Sequence, residues 1–397
     1  MSDEMISNFF PFFWFANLFG EQEIPSEIDK LLDFQENADT ITITDKKSQR
    51  IFQCGNLVER DCNSFQPREK RGGGKFNIIC GSGEYSSPPH FVDFLTAYNF
   101  EDYEGATFQI PSSSFCTQNK DSSTPPTKGI TNYIFDPNQG VLGAVAAAPA
   151  SIYRNYKSSE HTNLLSNVPF HTSNGYIQID TDKEIQRLES LNFDWTNTDS
   201  QCKIGVQRNN EVLIRRDPFN YHMYQVCSKP HKIHQIFCVR LNFIEDILPC
   251  PFTKDIAFHF LESQYKMTIK AAWENSVLFP NNPGSKILYL VPLGYESGTS
   301  LKVIARSIEA CSDLIVDSGL DVFLSCPTKY SFDKCQKVLK HVVEETGGEI
   351  IMTKKVSVNN LSDLIETVHL TKIVKWFGLI FVLFSLILLL DKINHHK

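Results

Sequence analysis

Paired cysteines are missing from this sequence, although it contains eleven cysteine residues. The number is odd, the positions are scattered, and no two form a C-x-x-C pair, so neither a zinc knuckle nor a disulfide framework is indicated. Several cysteines lie in apolar runs, such as residues 78–80 (IIC) and 236–238 (IFC), where a free thiol behaves as a small buried hydrophobic side chain. This usage predicts a reducing compartment and no metal site.

A surplus of positive charge is also missing. Acidic residues outnumber basic ones, 46 to 38, both signs are mixed along the chain, and the formal net charge is −8. No extended basic face is available to neutralise phosphates, so nucleic acid is not expected as a partner. Composition nevertheless indicates a globular chain, because 42% of the residues are hydrophobic and 21% are charged.

Long hydrophobic runs are missing except at one place. Residues 373–390 read IVKWFGLIFVLFSLILLL, whose single charge, Lys375, lies near one end. As a helix rising about 1.5 Å per residue, this stretch would span about 27 Å, close to the thickness of the thinner bilayers. A buried core helix is the alternative, but such a helix would carry a polar stripe. The run therefore predicts one C-terminal transmembrane helix, with membrane lipid as a partner.

The position of this run predicts an arrangement for the whole chain. Residues 359–372 would form a juxtamembrane linker and residues 391–397 a short tail. A span so close to the end emerges from the ribosome when translation finishes, which predicts a single-pass, tail-anchored protein with its bulk in the cytosol. The free cysteines agree with that location, and the organelle is left open.

The N-terminal segment, residues 1–35, is rich in aromatic side chains, with FFPFFWF at residues 9–15. Acidic residues precede this cluster and no small-residue cleavage site follows, so a signal peptide is not indicated. Two interpretations remain open. The segment either lies at a membrane interface with its rings at headgroup level, or packs as a strap onto the domain.

Residues 36–358 are expected to form a soluble α/β domain. Residues 40–44 (TITIT) alternate as in a half-exposed strand, whereas residues 76–80, 287–291 and 321–325 are typical of buried strands. Apolar residues recur at helical spacing over residues 182–191, 258–278, 301–315 and 331–345. This alternation predicts a mixed, partly parallel sheet flanked by helices.

Glycine-rich loops occur at two places where a phosphate could be bound. A basic, glycine-rich stretch, residues 68–75, leads into a predicted strand, and residues 81–83 (GSG) follow that strand as a possible phosphate cradle, although an ordinary turn is the favoured explanation. Residues 292–299 (PLGYESGT) connect a predicted strand to a helix, where backbone N–H groups attract anions. Gly294, Ser297, Gly298 and Thr299 are the candidate ligand residues there, and Glu296 would repel a diphosphate.

A second candidate cluster joins residues 136–140 (DPNQG) to residues 152–156 (IYRNY). An arginine fork, amides and phenols in one region can hydrogen-bond sugar hydroxyls and bind an anion. A buried polar network that ties loops to the sheet is the equally weighted alternative. The candidate ligand residues of this cluster are Asp136, Gln139, Gly140, Tyr153, Arg154 and Asn155.

These motifs resemble those of a largely uncharacterised family that carries T-Q-G-P-A-C-A…I-Y-R-N-Y. Residues 138–140 (NQG) and 152–156 (IYRNY) match this pattern, and residues 105–109 (GATFQ) match an upstream G-A-x-F-Q. The family is distantly similar to macrodomains and poly(ADP-ribose) glycohydrolases. The resemblance covers residues 76–325 and implies a macrodomain-like fold, an ADP-ribose-type ligand, and Gln109 as a further ligand residue.

The chain departs from the family at two places. The family continues after the matched glutamine with A-S-x-F-N, whereas residues 110–116 here read IPSSSFC, without the asparagine expected beside the ligand. The family's loop G-G-G-A-F-G-N is reduced here to residues 294–299 (GYESGT). A member that keeps the fold but has lost the reaction is consistent with both changes.

Three functions remain open at this point. The first is a membrane-anchored module that binds ADP-ribose or a related nucleotide, at most a hydrolase, with Asp136 or Glu274 as acid or base and no cofactor. The second is a non-catalytic scaffold or adaptor. The third, thiol catalysis by Cys116 or Cys238 with His234, lacks a motif of its own.

Overall fold

Strands form where the sequence carries β-branched and aromatic runs, as expected from their side-chain patterns. The computed structural model describes residues 8, 10–37, 40–66, 68–80, 103–136, 143, 145–179, 181–216, 223–242 and 251–352. In Ile41–Asp45 the isoleucines are buried and the threonines half-buried, whereas Lys75–Cys80 is buried beyond its first residue. Both strand predictions are confirmed.

The described residues contain the following elements. The strands are β1 Leu32–Glu36, β2 Ile41–Asp45, β3 Ile51–Gln53, β4 Asn56–Arg60, β5 Lys75–Cys80, β6 Thr107–Ser112, β7 Thr172–Ser173, β8 Tyr176–Ile177, β9 Ile204–Arg216, β10 Tyr224–Val239, β11 Ile287–Leu290, β12 Asp321–Cys326 and β13 Ile350–Met352. The α-helices are α1 Trp14–Phe19, α2 Ile28–Leu31, α3 Ala148–Tyr153, α4 Asp182–Ser190, α5 Pro251–Leu278, α6 Leu301–Glu309, α7 Ser312–Ser318 and α8 Lys329–Thr346.

The central sheet is mixed, as the sequence predicts. Eight strands of the described residues pair in the order β13-β5-β12-β11-β6-β10-β9-β4. The pairs from β13 to β10 are parallel, and β9 adds antiparallel contacts to β10 and β4. Strands β1, β2 and β3 form a separate antiparallel sheet. The carboxyl ends of β11, β6 and β10 therefore lie side by side.

The C-terminal helices follow local signals, with one exception. Helix α8 begins after Thr328, whose side chain accepts a hydrogen bond from the Ser331 backbone while the Ser331 side chain accepts one from the Thr328 backbone. The predicted helix over residues 301–315 is instead two helices, α6 and α7, interrupted at residues 310–311. The break lets each short helix turn its own apolar face toward the core.

The N-terminal segment packs onto the domain as a strap. Trp14, Phe15, Leu18 and Phe19 of α1 are buried, and the ring of Phe19 lies 5.5 Å from that of Phe52. The strap is fastened by the Glu23 carboxylate, which accepts hydrogen bonds from the backbone of Ile130 and Thr131, each at 2.8 Å, and from the Tyr156 hydroxyl. The sequence left open a membrane-interface segment and a strap packed onto the domain. The described residues of this segment form the packed strap.

The predicted fold class requires one correction. Within the part of the chain that the structure describes, no helix is both long and apolar enough to cross a membrane. The longest, α5, has 28 residues, but Asp255, Glu262, Lys266 and Glu274 interrupt its apolar surface. The fold class of the described residues is therefore corrected to a mixed α/β domain without the added transmembrane helix. Residues 373–390, on which that prediction was based, lie outside the described residues, as do 359–372 and 391–397.

Cys116, Cys238 and His234, the residues considered for thiol catalysis, are all buried, which opposes that reaction. Ten cysteines of the described part are free and buried. Burial raises the pKa of Cys238 to about 12 and also raises that of Cys116, so both thiols stay protonated at neutral pH. Burial, with a smaller contribution from Arg208, lowers the pKa of His234 to about 3.

The buried neutral His234 predicts loss of stability in acid. Its folded pKa lies below the unfolded value, so the unfolded chain binds the extra proton between about pH 6.5 and pH 3, and stability falls as pH decreases through that window. The expected contribution to the slope is about 1.4 kcal/mol per pH unit. Urea unfolding at several pH values should show a shallower slope for His234→Asn, which keeps an acceptor for the backbone N–H of Asn209. An unchanged slope would contradict this role.

Candidate ligand site

The carboxyl ends of β6, β10 and β11 form one edge of the parallel part of the sheet, where α/β folds place their ligands. Ser112 ends β6, Val239 ends β10 and Leu290 ends β11. The backbone N–H of Arg240 donates to the Ser112 carbonyl at 3.4 Å, which continues the contact between β10 and β6 past the end of the ladder. The side chain of Arg240 thereby enters this edge.

Arg240 and Asp136 form a buried pair of opposite charge there. The Arg240 Nη1 atom lies 3.7 Å from Asp136 Oδ1, and the exposed fractions of the two side chains are 6% and 2%. The guanidinium also lies 4.6 Å from the ring centroid of Tyr176. Among the described residues, the guanidinium makes no side-chain hydrogen bond. A buried cationic fork with unused donors is a natural partner for an anion.

Tyr176 and Asn119 line the same region with polar atoms. The Tyr176 hydroxyl donates to the Asn119 carbonyl at 2.8 Å, and burial raises the pKa of this phenol, so it remains a donor. The side-chain oxygen of Asn119 is buried without a hydrogen-bond partner in the part of the chain that the structure describes. An unpaired buried acceptor of this kind can receive a hydrogen bond from a ligand hydroxyl.

The glycine loop, residues 294–299, is attached to the same edge. Gly294 has a φ of +79°, and a Cβ atom there would lie 2.5 Å from Thr299 Oγ1 and 2.9 Å from the Leu241 carbonyl. Only glycine fits this close approach. The Thr299 hydroxyl donates to the Leu241 carbonyl at 3.4 Å, and Ser297 and Gly298 form the turn between. The structure thus places the loop beside the residue that follows Arg240.

Gln109 supports this edge from inside the sheet. Its Nε2 donates to Thr268 Oγ1 of α5 at 3.1 Å, and its Oε1 accepts from the backbone N–H of Val291 at 3.2 Å. Val291 is the first residue after β11. Because Gln109 is fully buried, its contacts fix α5 to the start of the glycine loop.

Arg154 forms a separate network beneath the edge. Its guanidinium donates to the Cys116 carbonyl at 3.0 Å, to Gln207 Oε1 at 2.6 Å and to Gln118 Oε1 at 3.1 Å. It also lies 4.0 Å from the centroid of the Phe237 ring and is fully buried. These contacts connect α3, β9, β10 and the loop after β6.

The neighbours of Arg154 also contact protein groups. Asn155 accepts from the Tyr133 hydroxyl at 3.0 Å and donates to the Pro126 carbonyl at 3.1 Å. Burial, followed by the negative charge of Glu36, raises the pKa of Tyr153, so its phenol stays neutral. The motif IYRNY lies where α3 continues into a single π-helical turn, Arg154–Ser158.

Three candidates lie away from this edge or outside the described part. Gln139 and Gly140 fall outside the described residues. Glu274, considered as acid or base, lies near the C-terminal end of α5 and contacts three arginines, Arg60, Arg68 and Arg208. Within the described residues, no group of three or more His, Cys, Asp or Glu side chains is arranged to hold a metal ion.

Sequence reasoning missed Arg240, Tyr176 and Asn119. Arg240 directly follows the buried strand run QIFCV, and a charged residue at the carboxyl end of a buried strand is a usable signal. Tyr176 and Asn119 lie in loops whose positions depend on contacts with distant residues. Their role cannot be read from local spacing.

The chain is distantly similar to solved poly(ADP-ribose) glycohydrolases. A Deinococcus radiodurans poly(ADP-ribose) glycohydrolase in complex with ADP-ribose matches 72% of this chain and 95% of its own, at 8% identity and a TM-score of 0.36. The apo form from the same organism matches 63% and 89%, at 9% identity and a TM-score of 0.26. The distant similarity that the motifs predict is confirmed. No protein-family model and no curated protein sequence matches the chain.

The contacts of Arg154 predict a structural role that can be measured. Arg154→Met would leave the acceptors of Cys116, Gln118 and Gln207 unpaired in the interior, so the free energy of unfolding should fall by about 3 kcal/mol or more. Urea unfolding measures this change, with Arg306→Met on the exposed side of α6 as a control expected to stay within about 0.5 kcal/mol. Unchanged stability of Arg154→Met would contradict the structural role.

Proposed function

We propose that this chain is a macrodomain-related module that binds an ADP-ribose-type nucleotide at the carboxyl edge of its parallel strands, without turnover. The ligand class follows from the motif resemblance. The proposal rests on one observation about Arg240. Its guanidinium is buried and lies 3.7 Å from Asp136 Oδ1, and among the described residues it makes no side-chain hydrogen bond. A buried cation in this state favours an anionic ligand.

The surrounding groups suit the rest of such a nucleotide. The loop around Gly294 supplies backbone close to Arg240, where a diphosphate could approach. The unpaired Asn119 Oδ1 offers an acceptor for a ribose hydroxyl. Tyr176 adds a neutral phenol and a ring surface beside the guanidinium.

The absence of turnover is inferred from the carboxylates. Glycosidic hydrolysis ordinarily uses two carboxyl groups that flank the scissile bond. Four carboxylates are buried in the part of the chain that the structure describes: Asp45, Asp136, Glu184 and Glu274. Of these four carboxylates, Asp136 is the one that contacts the carboxyl edge, through Arg240. Glu274 is held by its three arginines.

Calorimetric titration of the full chain with ADP-ribose tests the binding. Arg240→Ala should weaken binding by roughly tenfold or more, because a charge-assisted hydrogen bond is lost. The same variant also removes the positive charge that faces the buried Asp136 carboxylate, so its stability should fall as well.

The double variant Asp136→Ala with Arg240→Ala separates the two effects. Removing both charges should restore much of the stability, whereas ADP-ribose binding should stay weak. Arg306→Ala provides a control for loss of an exposed arginine. Wild-type affinity in the double variant, or no heat with the wild-type chain at millimolar ADP-ribose, would refute the proposed site.

Turnover has its own test. Incubation of the full chain with poly(ADP-ribose) should release no ADP-ribose, because Asp136 is the one buried carboxylate within the described residues that contacts this edge. Chromatography of the soluble products measures the release. Release that is lost in Asp136→Asn would instead identify a hydrolase that uses this carboxylate.

A further inference from the structure

A second concentration of charge lies around Glu274, away from the carboxyl edge. Its Oε2 accepts from Arg60 at 3.1 Å and from Arg208 at 2.5 Å, and its Oε1 accepts from Arg68 at 3.0 Å. Three guanidinium groups therefore share one carboxylate. The exposed fractions of the arginine side chains are 18–23%, so water screens them only in part.

The arginines in this group repel one another. Burial lowers the pKa of Arg208, Glu274 opposes that shift, and the charges of Arg60 and Arg68 lower the pKa further. Arg208 also donates to Asn275 Oδ1 at 2.7 Å, which is a neutral acceptor. The cluster carries an excess of positive charge that the single carboxylate does not neutralise.

Two adjoining cavities open beside this cluster, and we call them together the Trp273 cleft. One, of about 270 Å³, is lined by Phe65, Gln66, Arg68, Lys70, Lys270, Trp273, Leu314 and Asp317. The other, of about 380 Å³, is lined by Arg68, Glu69, Lys70, Arg71, Trp273 and Val277. They share Arg68, Lys70 and Trp273, so the cleft has a basic wall and an aromatic wall.

Two cations of the cleft have no carboxylate partner within the described residues. The Lys270 amine donates to Cys62 Sγ at 3.0 Å, and Arg71 donates to Ser276 Oγ at 2.9 Å. Asp317 pairs with Lys70 at 2.8 Å. The lining contains two acidic side chains, Asp317 and Glu69, and four basic ones, Arg68, Lys70, Arg71 and Lys270. Positive charge is therefore in excess in the cleft.

The loop after Arg71 leaves the rim of the cleft open. Gly72 and Gly73 have φ values of +69° and +73°, and no atom lies within 4 Å of a Cβ built on either. Gly74 is anchored, because its N–H donates to the Val316 carbonyl at 3.1 Å. These glycines belong to the basic, glycine-rich stretch at residues 68–75, which the carboxyl-edge site does not use.

We propose that the Trp273 cleft is a second anion site that binds a phosphate or diphosphate group. Lys270, Arg68 and Arg71 supply charge-assisted donors to phosphoryl oxygens, and Trp273 provides a flat wall against which the remainder of a phosphorylated ligand packs. The cavity volumes suit a ligand up to the size of a mononucleotide.

The cleft is distinct from the carboxyl-edge site. Asn275, next to Glu274, donates to Thr107 Oγ1 at 3.2 Å, and Thr107 begins β6. Gly74 immediately precedes β5. The cleft therefore lies at the amino ends of the parallel strands, opposite to Arg240, and its ligand does not depend on the proposed nucleotide site.

Titration of the full chain with inorganic pyrophosphate and with adenosine monophosphate tests the proposal. Lys270→Gln removes a cation without breaking an ion pair of the described residues, and it should weaken pyrophosphate binding by roughly tenfold. Arg68→Gln should act in the same direction, while Arg60 and Arg208 continue to hold Glu274. Lys302→Gln, an exposed lysine on α6, is the matched control and should bind as the wild type does.

Tryptophan fluorescence locates the ligand. The chain has four tryptophans, so a ligand-dependent change that disappears in Trp273→Phe assigns the signal to this cleft. The affinities of the wild-type chain for adenosine monophosphate and for pyrophosphate are then compared. If it binds adenosine monophosphate more tightly, and Trp273→Phe removes that difference, the adenine base packs against the Trp273 wall.

The outcomes separate this site from the one at Arg240. Pyrophosphate binding that persists in Arg240→Ala and weakens in Lys270→Gln supports the cleft, whatever the result with ADP-ribose. No pyrophosphate binding at millimolar concentration overturns it. Binding that is lost in Arg240→Ala and unaffected by Lys270→Gln and Arg68→Gln assigns the anion to the carboxyl edge and likewise overturns it.

Discussion

The carboxyl edge depends on the hydrogen bonds that the buried Arg154 guanidinium donates. The guanidinium holds the loop after β6 through Cys116 and Gln118, and it contacts Gln207 of β9. That loop presents the Asn119 carbonyl to the hydroxyl of Tyr176, whose ring lies against Arg240. A buried charge is tolerated only when its donors are satisfied, so the network constrains every loop that it joins.

The two arginines beside the sheet illustrate why residue type alone does not assign a role. Arg154 donates to several protein acceptors in the interior, whereas Arg240 has a charge contact and a ring contact but no side-chain hydrogen bond in the described part. The first arrangement stabilises a fold, and the second is suited to an additional anion. At 8% identity to the similar glycohydrolase, such distinctions have to be drawn from contacts.

Local patterns predicted the elements whose residues carry their own signal. The alternation in Ile41–Asp45, the buried runs of β11 and β12, and the cap of α8 at Thr328 are all encoded within a few residues. The long β9–β10 hairpin is different. Its ladder shifts register twice, and polar residues interrupt its period, so no simple alternation marks it.

The candidate site was predictable in part. The sequence singles out the glycine loop because a strand followed by glycines is a local pattern, and it singles out Asp136 through its motif; ligand binding by either stays a prediction. Arg240 was missed because its importance depends on parallel pairing of β10 with β6, more than a hundred residues earlier. The transmembrane helix in the predicted fold class was inferred from hydropathy. Among the described residues, no helix is long and apolar enough to cross a membrane.

The strap held by Glu23 has a consequence for synthesis on the ribosome. Its acceptor oxygens are matched by donors at Ile130, Thr131 and Tyr156, which are made more than a hundred residues later. Until those residues are made, the strap lacks the donors that fasten it, and the aromatic rings of α1 can pack only on earlier residues such as Phe52. Aromatic side chains that stay partly exposed on a nascent chain favour aggregation, so elongation through residue 156 completes the protection of this segment.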